Sequence, residues 1–378
     1  MIYLDHNATT PTLPAAARAA ADWLLSGVAG NPSSAHAAGR RARALVEKAR
    51  RRVAVAAGAQ PAEVIFTSGA TEALHLALGG LMPRGSHVVT SSVEHPALYG
   101  AAEVAGARVT QVPTDARGRL DPDAFAAARL PDTALVAVMA AQNELGNEYP
   151  VSAIAAAVAP VPVLCDAAQW FGKRPLDFST SGCAAVVLSA HKIGGPAGVG
   201  ALVVARGRAL GSTVAGGPQE RGRRAGTENV AGILGFGAAA EAVPARLAAM
   251  TDVERRRDRL AAALRADVPG FIEHGDPSAR LPNTLSFRID GVAGDLLLAA
   301  LDLEGICVSS GSACSAGALE PSPVLQALGL DAETARAGLR VSLGPETTDA
   351  EVDALAELLP RLVARARTKT HAEVRPCA

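Results

Sequence analysis

Residues 188–196 read LSAHKIGGP, an apolar strand-like run that ends in a polar cluster holding one lysine, Lys192. Ligands of open α/β sheets bind at the carboxyl ends of strands, and a lysine placed there can form a Schiff base with a carbonyl cofactor. Alone, a lysine after a strand is more often a solvated surface group, so Lys192 needs companions. One is Asp166, in the run CDAAQ at 165–169, which also closes an apolar segment. A carboxylate emerging there needs a cationic partner, and the protonated pyridine nitrogen of pyridoxal phosphate is one. Another is FTSGATE at 66–72, where Ser68, Gly69, Ala70 and Thr71 would offer N–H groups and hydroxyls at a helix amino terminus, a natural phosphate cradle. The chain has no GxxxxGK(S/T) loop, which makes a nucleotide phosphate the poorer guess.

Two further strand ends carry polar groups. His95, in VEHP at 93–96, can stack on a flat cofactor or move protons near neutral pH, or simply occupy a surface turn. Asn143 lies in QNELG at 142–146, after the apolar run 135–139. Thr71, His95, Asn143, Asp166 and the Ser189/His191/Lys192 group thus close five of the strand candidates. Cys314 lies in SSGSACSAG at 309–317, among residues too small to pack around it. It is either a reactive thiol on a loose segment or a small residue in a turn.

The elements that must position these groups follow from the pattern. Strand candidates at 64–66, 87–90, 108–112, 135–139, 163–165, 186–188 and 201–204 alternate with Ala/Leu-rich helical segments. Most are continuous apolar runs, as expected of a sheet covered by helices on both faces. Residues 241–266 predict one long helix, with Pro244 near its start and Leu247, Met250, Leu260, Ala261 and Leu264 on one stripe. Strand-like runs at 284–289, 306–309 and 339–342 then alternate with helices. The last helix opens on Thr348-Asp-Ala-Glu351, a capping box, and its end is expected to fray after about residue 366.

Composition narrows the function classes. The chain has 378 residues, 49% of them apolar, enough for a large core or two domains. Its 36 basic and 37 acidic residues leave a formal charge of −1, so neither nucleic acid nor an anionic membrane is an expected partner. The arginines at 40–43 and 50–52 read as solvated helix faces. Five cysteines (165, 183, 307, 314 and 377) form no CxxC pair, which suggests neither a disulfide framework nor a metal site. Cys165, Cys183 and Cys307 are expected in the core, and Cys377 in the tail. No secretory pattern opens the sequence, so a cytoplasmic setting is expected.

The stretches YLDHNATT (3–10), GNPSSAHAAGR (30–40), FTSGATEA (66–73), EHPALY (94–99), NELG (143–146), CDAAQ (165–169), SAHKIGGPAGVGAL (189–202), RRAGTENV (223–230), SSGSACSAG (309–317) and RVSLG (340–344) occur in family order over nearly the whole chain. Together they resemble the cysteine desulfurases of the pyridoxal-phosphate-dependent class V aminotransferase-like family, in the NifS- and IscS-like subgroup. The resemblance implies the type I, aspartate-aminotransferase-like α/β fold. A large domain with a mainly parallel sheet would span 15–250, and a small α+β domain would combine 1–14 with 251–378. It implies that Lys192 carries pyridoxal 5′-phosphate as an aldimine and removes the substrate α-proton. Asp166 would face the pyridine nitrogen, His95 would stack on the ring and help move the thiol proton, and Gln169 would hydrogen-bond the phenolic oxygen. Ala70, Thr71, Ser189 and His191 would hold phosphate, with Thr227 reaching the site of the other subunit in a homodimer. Asn143 would lie near the phenolic oxygen or the substrate, Asn31 would border the substrate, and Arg340 would bind its carboxylate.

The implied reaction takes L-cysteine to L-alanine, with Cys314 collecting the sulfur as a persulfide for a protein acceptor such as an iron–sulfur scaffold or a sulfur carrier. A selenocysteine lyase or another class V aminotransferase would share the cofactor groups. Gln142 stands where the family often has asparagine, Ala197 where lysine is frequent, and Leu74 and His75 where asparagines are common. None of these departures removes an assigned group. The small residues around Cys314 predict weak order over 314–320.

Overall fold

The computed structural model describes residues 1–310 and 320–373, with side chains as far as 368. Cys314, nearly all of the segment expected to be weakly ordered, and Cys377 lie outside the described residues.

Seven strands form the large sheet: β2 (Val64–Thr67), β3 (His87–Ser91), β4 (Arg108–Val112), β5 (Thr133–Met139), β6 (Val163–Asp166), β7 (Ala185–Ser189) and β8 (Gly200–Val204), following a short β1 (Ile2–Tyr3) that lies elsewhere. Their order is β2-β8-β7-β6-β5-β3-β4. All neighbours are parallel except β8, which is antiparallel to both β2 and β7. Two reversals restore the direction, so β2, β3, β5, β6 and β7 end on one edge of the sheet. The apolar runs are continuous because successive side chains enter different cores. Val64, Phe66, Val186 and Leu188 face one core, and Ile65, Ala185 and Val187 the other. Edge strand β4 is mostly exposed, as its single hydrogen-bonded neighbour allows.

A second core surrounds the antiparallel sheet of β9 (Phe271–Glu273), β10 (Thr284–Ile289), β12 (Ser309–Ser310) and β13 (Leu339–Ser342), ordered β12-β13-β10-β9. The run expected to be one strand at 306–309 is two. β11 (Ile306–Cys307) pairs in parallel with β1, and beyond Val308 the chain passes to β13 as β12. β1 and β9 were not foreseen; they are two and three residues long and half-buried throughout, too short to show a period.

The long helix Val243–Asp267 starts one residue after helix Val230–Glu241, with Pro244 in its first turn. Val243 packs in the large core, whereas Met250, Leu260, Ala261 and Leu264 pack in the second, so the helix connects the two. No single helix among the described residues is long and apolar enough to cross a membrane. The last helix, Asp349–Glu373, has the expected box: Thr348 N–H donates to Glu351 and Glu351 N–H to Thr348 Oγ1. It continues past 366, against the expectation of fraying there.

Arg50 departs from the solvated-face reading. It is 4% exposed, chelated by Glu220 at 2.6 and 2.8 Å and stacked over Phe66. Glu220 also accepts the Phe66 N–H, which ties the 219–229 loop to β2. Cys165 and Cys183 are buried as expected, while Cys307 is only half-buried.

Candidate active site

The shared carboxyl edge of β2, β3, β5, β6 and β7 opens on a cavity of about 420 Å³. Nine of the expected residues line it: Ala70, Thr71, His95, Asn143, Asp166, Gln169, Ser189, His191 and Lys192. Pairing explains the convergence. Asp166 sits opposite Met139 of β5 and Val187 of β7, while Gly200 of β8 bridges Ser189 and Thr67. Gly200 also lets the turn after β2 approach, because a Cβ there would lie 2.8 Å from Gly69 Cα. That turn leads into helix Ala70–Leu81, whose amino terminus faces the cavity.

Lys192 lies on a 3-10 turn, Ala190–Ile193, directly after β7. Its Nζ donates to the main-chain oxygens of Asn7 and, at 2.8 Å, Ala8. Asp166 is 7% exposed and accepts the Ala168 N–H; burial pushes its carboxyl up, opposed by that bond and by His95 and Lys192. His95 caps helix Pro96–Val104, its Nδ1 accepting the Ala97 N–H, which places the ring proton on Nε2. Burial lowers its pKa, so the ring is neutral at pH 7. His191 Nδ1 lies 3.1 Å from Thr9 Oγ1, and burial with the Lys192 charge depresses its pKa to about 4. Cys165, beside Asp166, is no rival nucleophile: contact with Cys183 and then burial push its thiol far up.

Three expected residues lie elsewhere in this chain. Asn31 is exposed, its Oδ1 accepting the Ser33 N–H, and does not line the cavity. Thr227 is exposed beside a small separate hollow that shares Ser68 and Gly198 with the main cavity. Arg340, on β13 and 3% exposed, donates to Asn143 O at 3.0 Å and to Asp5 at 2.6 Å, and its buried Nε has no partner among the described residues. Gln142 closes the turn that carries Asn143, its Oε1 accepting the N–H groups of Glu144 and Leu145.

Asn7 was not singled out in the sequence, yet it is the hub of the site. Its main-chain oxygen accepts from Lys192 and Gln169, and its side chain bonds Lys173, Asn283, Thr284 and Asn143 O. It thereby joins the amino-terminal segment, the large sheet and the second sheet. Glu94 was also passed over. It is 3% exposed, with Ser91 Oγ on Oε1 at 2.5 Å, and burial raises its pKa to about 8. The folded state therefore holds a proton on Glu94 that the unfolded chain releases near pH 4.5. Stability from this group is complete below that value and is lost as pH rises towards 8. In Glu94→Gln, melting temperature relative to the unsubstituted protein is expected to climb between pH 5 and 8, by on the order of 5 °C, and to level off above. Calorimetric scans across that range check it.

Buried Ser189 Oγ has no partner among the described residues, which suits a bound phosphate oxygen beside the helix terminus. Asp166, raised by burial and in no ion pair among the described residues, suits a cationic ring nitrogen. Among the described residues, no cluster of three or more His, Cys, Asp or Glu could hold a metal. The residues present fit a flat, phosphorylated, basic carbonyl compound.

Residues 2–355 match the aminotransferase class-V family. The chain belongs to this family. Its cofactor is pyridoxal 5′-phosphate, and the resemblance drawn from the motifs holds over nearly the full length. A cysteine desulfurase of Trichormus azollae is 41% identical over 376 residues, covering 97% of this chain and 94% of its own. A solved NifS-like protein superimposes with a TM-score of 0.89 at 32% identity, covering 96% of this chain and 99% of its own. A structure described as SspA in complex with cysteine gives 0.80 at 31% identity, over 92% and 100% of the two chains. These neighbours and the sheet order establish the expected type I α/β fold.

Proposed function

We propose that this chain is a cysteine desulfurase: it converts L-cysteine to L-alanine and passes the sulfur, as a persulfide on Cys314, to a protein acceptor. The observation that carries the reading is the convergence of Lys192, Asp166 and the helix terminus at Ala70 on one cavity, in a chain similar to cysteine desulfurases from end to end. Lys192 anchors the cofactor. Asp166 faces its ring nitrogen, neutral His95 lies along the ring, and Gln169 donates to the phenolic oxygen. Ser189, His191 Nε2–H, Thr71 and the main chain at Ala70 hold the phosphate. Bound there, pyridoxal phosphate supplies an electron sink for charge developing at the substrate α-carbon.

Arg340 binds the substrate carboxylate through its guanidinium fork, with Asn143 beside it and Asp5 as the group it exchanges. Asn31 borders the substrate. Once released from its anchoring role, Lys192 takes the α-proton. Cys314, as thiolate, attacks the substrate sulfur; the S–S bond forms as the C–S bond breaks, and the electron pair left on carbon is protonated to give alanine. His95 relays the thiol proton. Thr227 reaches the phosphate of a partner subunit, which makes the working unit a homodimer in the cytoplasm. Iron–sulfur assembly and thio-cofactor or tRNA thiolation are the acceptor pathways that suit a carried persulfide.

Purified protein loaded with cofactor, given L-cysteine and a thiol reductant but no keto acid, is expected to form alanine and sulfide in equal amounts over many turnovers. Alanine that appears only when a keto acid is added would make it an aminotransferase. Faster turnover of selenocysteine, with cysteine inert, would make it a selenocysteine lyase.

A further inference from the structure

Lys173 touches neither the cavity nor solvent. It is 1% exposed, lies four residues after Gln169 in the turn that follows β6, and makes no ion pair among the described residues. Its Nζ donates to Gln169 Oε1 at 2.6 Å and to Asn7 Oδ1 at 2.7 Å. Burial, then the charges of Lys192, Arg246 and Arg340, push its pKa well down, but an amine donates in either protonation state.

Those two bonds set the polarity of a cofactor contact. With Oε1 held by Lys173, the Gln169 amide must turn its Nε2 outward. One N–H goes to the Asn7 main-chain oxygen at 2.8 Å, which leaves the second for the cavity that Gln169 lines. The same Asn7 oxygen receives Lys192 Nζ. The reverse orientation of the amide would present a carbonyl oxygen to the cavity, and a phenolate there would be repelled.

We propose that Lys173 is a positioning residue for the cofactor, holding Gln169 with its N–H towards the phenolic oxygen and Asn7 with its carbonyl beneath Lys192. This rests on the reading of Gln169 as the phenolic-oxygen donor. Lys173 itself does no chemistry on the substrate, and its effect travels through two amides.

The test compares unsubstituted protein, Lys173→Met, Gln169→Ala and the double variant. The readouts are the dissociation constant for pyridoxal phosphate, by equilibrium dialysis, and the pH midpoint of the bound cofactor's visible absorbance. Without the donor the phenolic oxygen is more basic, so Lys173→Met is expected to move the midpoint up by about one pH unit and weaken cofactor binding about tenfold. The double variant is expected to be no worse than Gln169→Ala alone, because both act on one contact. A folded Lys173→Met protein with both readouts unchanged beside a shifted Gln169→Ala overturns the proposal, as do effects that simply add in the double variant. If Gln169→Ala shifts nothing, the phenolic-oxygen reading itself fails. Should the methionine variant not fold, Lys173→Gln serves: its shorter amide cannot span both oxygens, and the same upward shift is expected, its absence overturning the proposal.

Discussion

Lys192→Ala protein, incubated with pyridoxal phosphate and then freed of unbound cofactor, is expected to show no visible band of lysine-linked cofactor and no detectable alanine formation from cysteine. The loss should be at least about 10⁴-fold, since in the proposed reaction one residue supplies both the covalent anchor and the base. Among the described residues, Lys192 is the sole lysine on the cavity wall. It leaves β7 on a 3-10 turn, and its Nζ donates to two main-chain oxygens of the amino-terminal segment. Lys173, the other buried amine of this region, is held beneath that segment by Gln169 and Asn7 and cannot take over. Absorbance spectra before and after desalting check the anchor, and amino-acid analysis checks the turnover. A desalted variant that keeps the band would place the linkage on another lysine.

The reason Lys192 was legible in the sequence is the reason most of the large sheet was. Strands buried on both faces must be apolar at every position, so the polar residue that ends each run stands out against it. His95, Asp166 and Ser189 were found in this way, and the structure brings them to one cavity. The amino-terminal segment enters the resemblance as YLDHNATT, but nothing local marks Asn7 within it. Asn7 gains its place from residues as distant as Ser342, whose hydroxyl accepts its N–H. Lys173 reads as an ordinary lysine after a turn; only the four-residue spacing from Gln169 hints that the two side chains meet. Glu94 was overshadowed by its neighbour His95, although it is the more deeply buried of the two. Val308 hid a boundary: 306–309 reads as one strand, and the change of partner from β1 to β13 depends on where those strands lie.

Cys314→Ser should leave cofactor binding and the visible band of the bound cofactor unchanged, while alanine formation from cysteine falls by at least about 100-fold, the loss expected when a nucleophile is removed and the binding machinery remains. The contrast with Lys192→Ala is the informative part, because the two substitutions divide the reaction into anchoring and sulfur capture. The three cysteines among the described residues offer no substitute. Cys165 and Cys183 are buried in the large core, and Cys307 pairs in β11 with Tyr3 of β1. None of them lines the cavity.

In the proposed reaction, sulfur leaves the substrate for this one thiol. Protein loaded with cofactor, mixed with L-cysteine in the absence of reductant, alkylated and digested, should yield a peptide containing Cys314 heavier by the mass of one sulfur atom. The amount should match the alanine released in the first turnover. Alanine produced with that peptide unmodified, or with the added sulfur on Cys165, Cys183 or Cys307, would contradict the account.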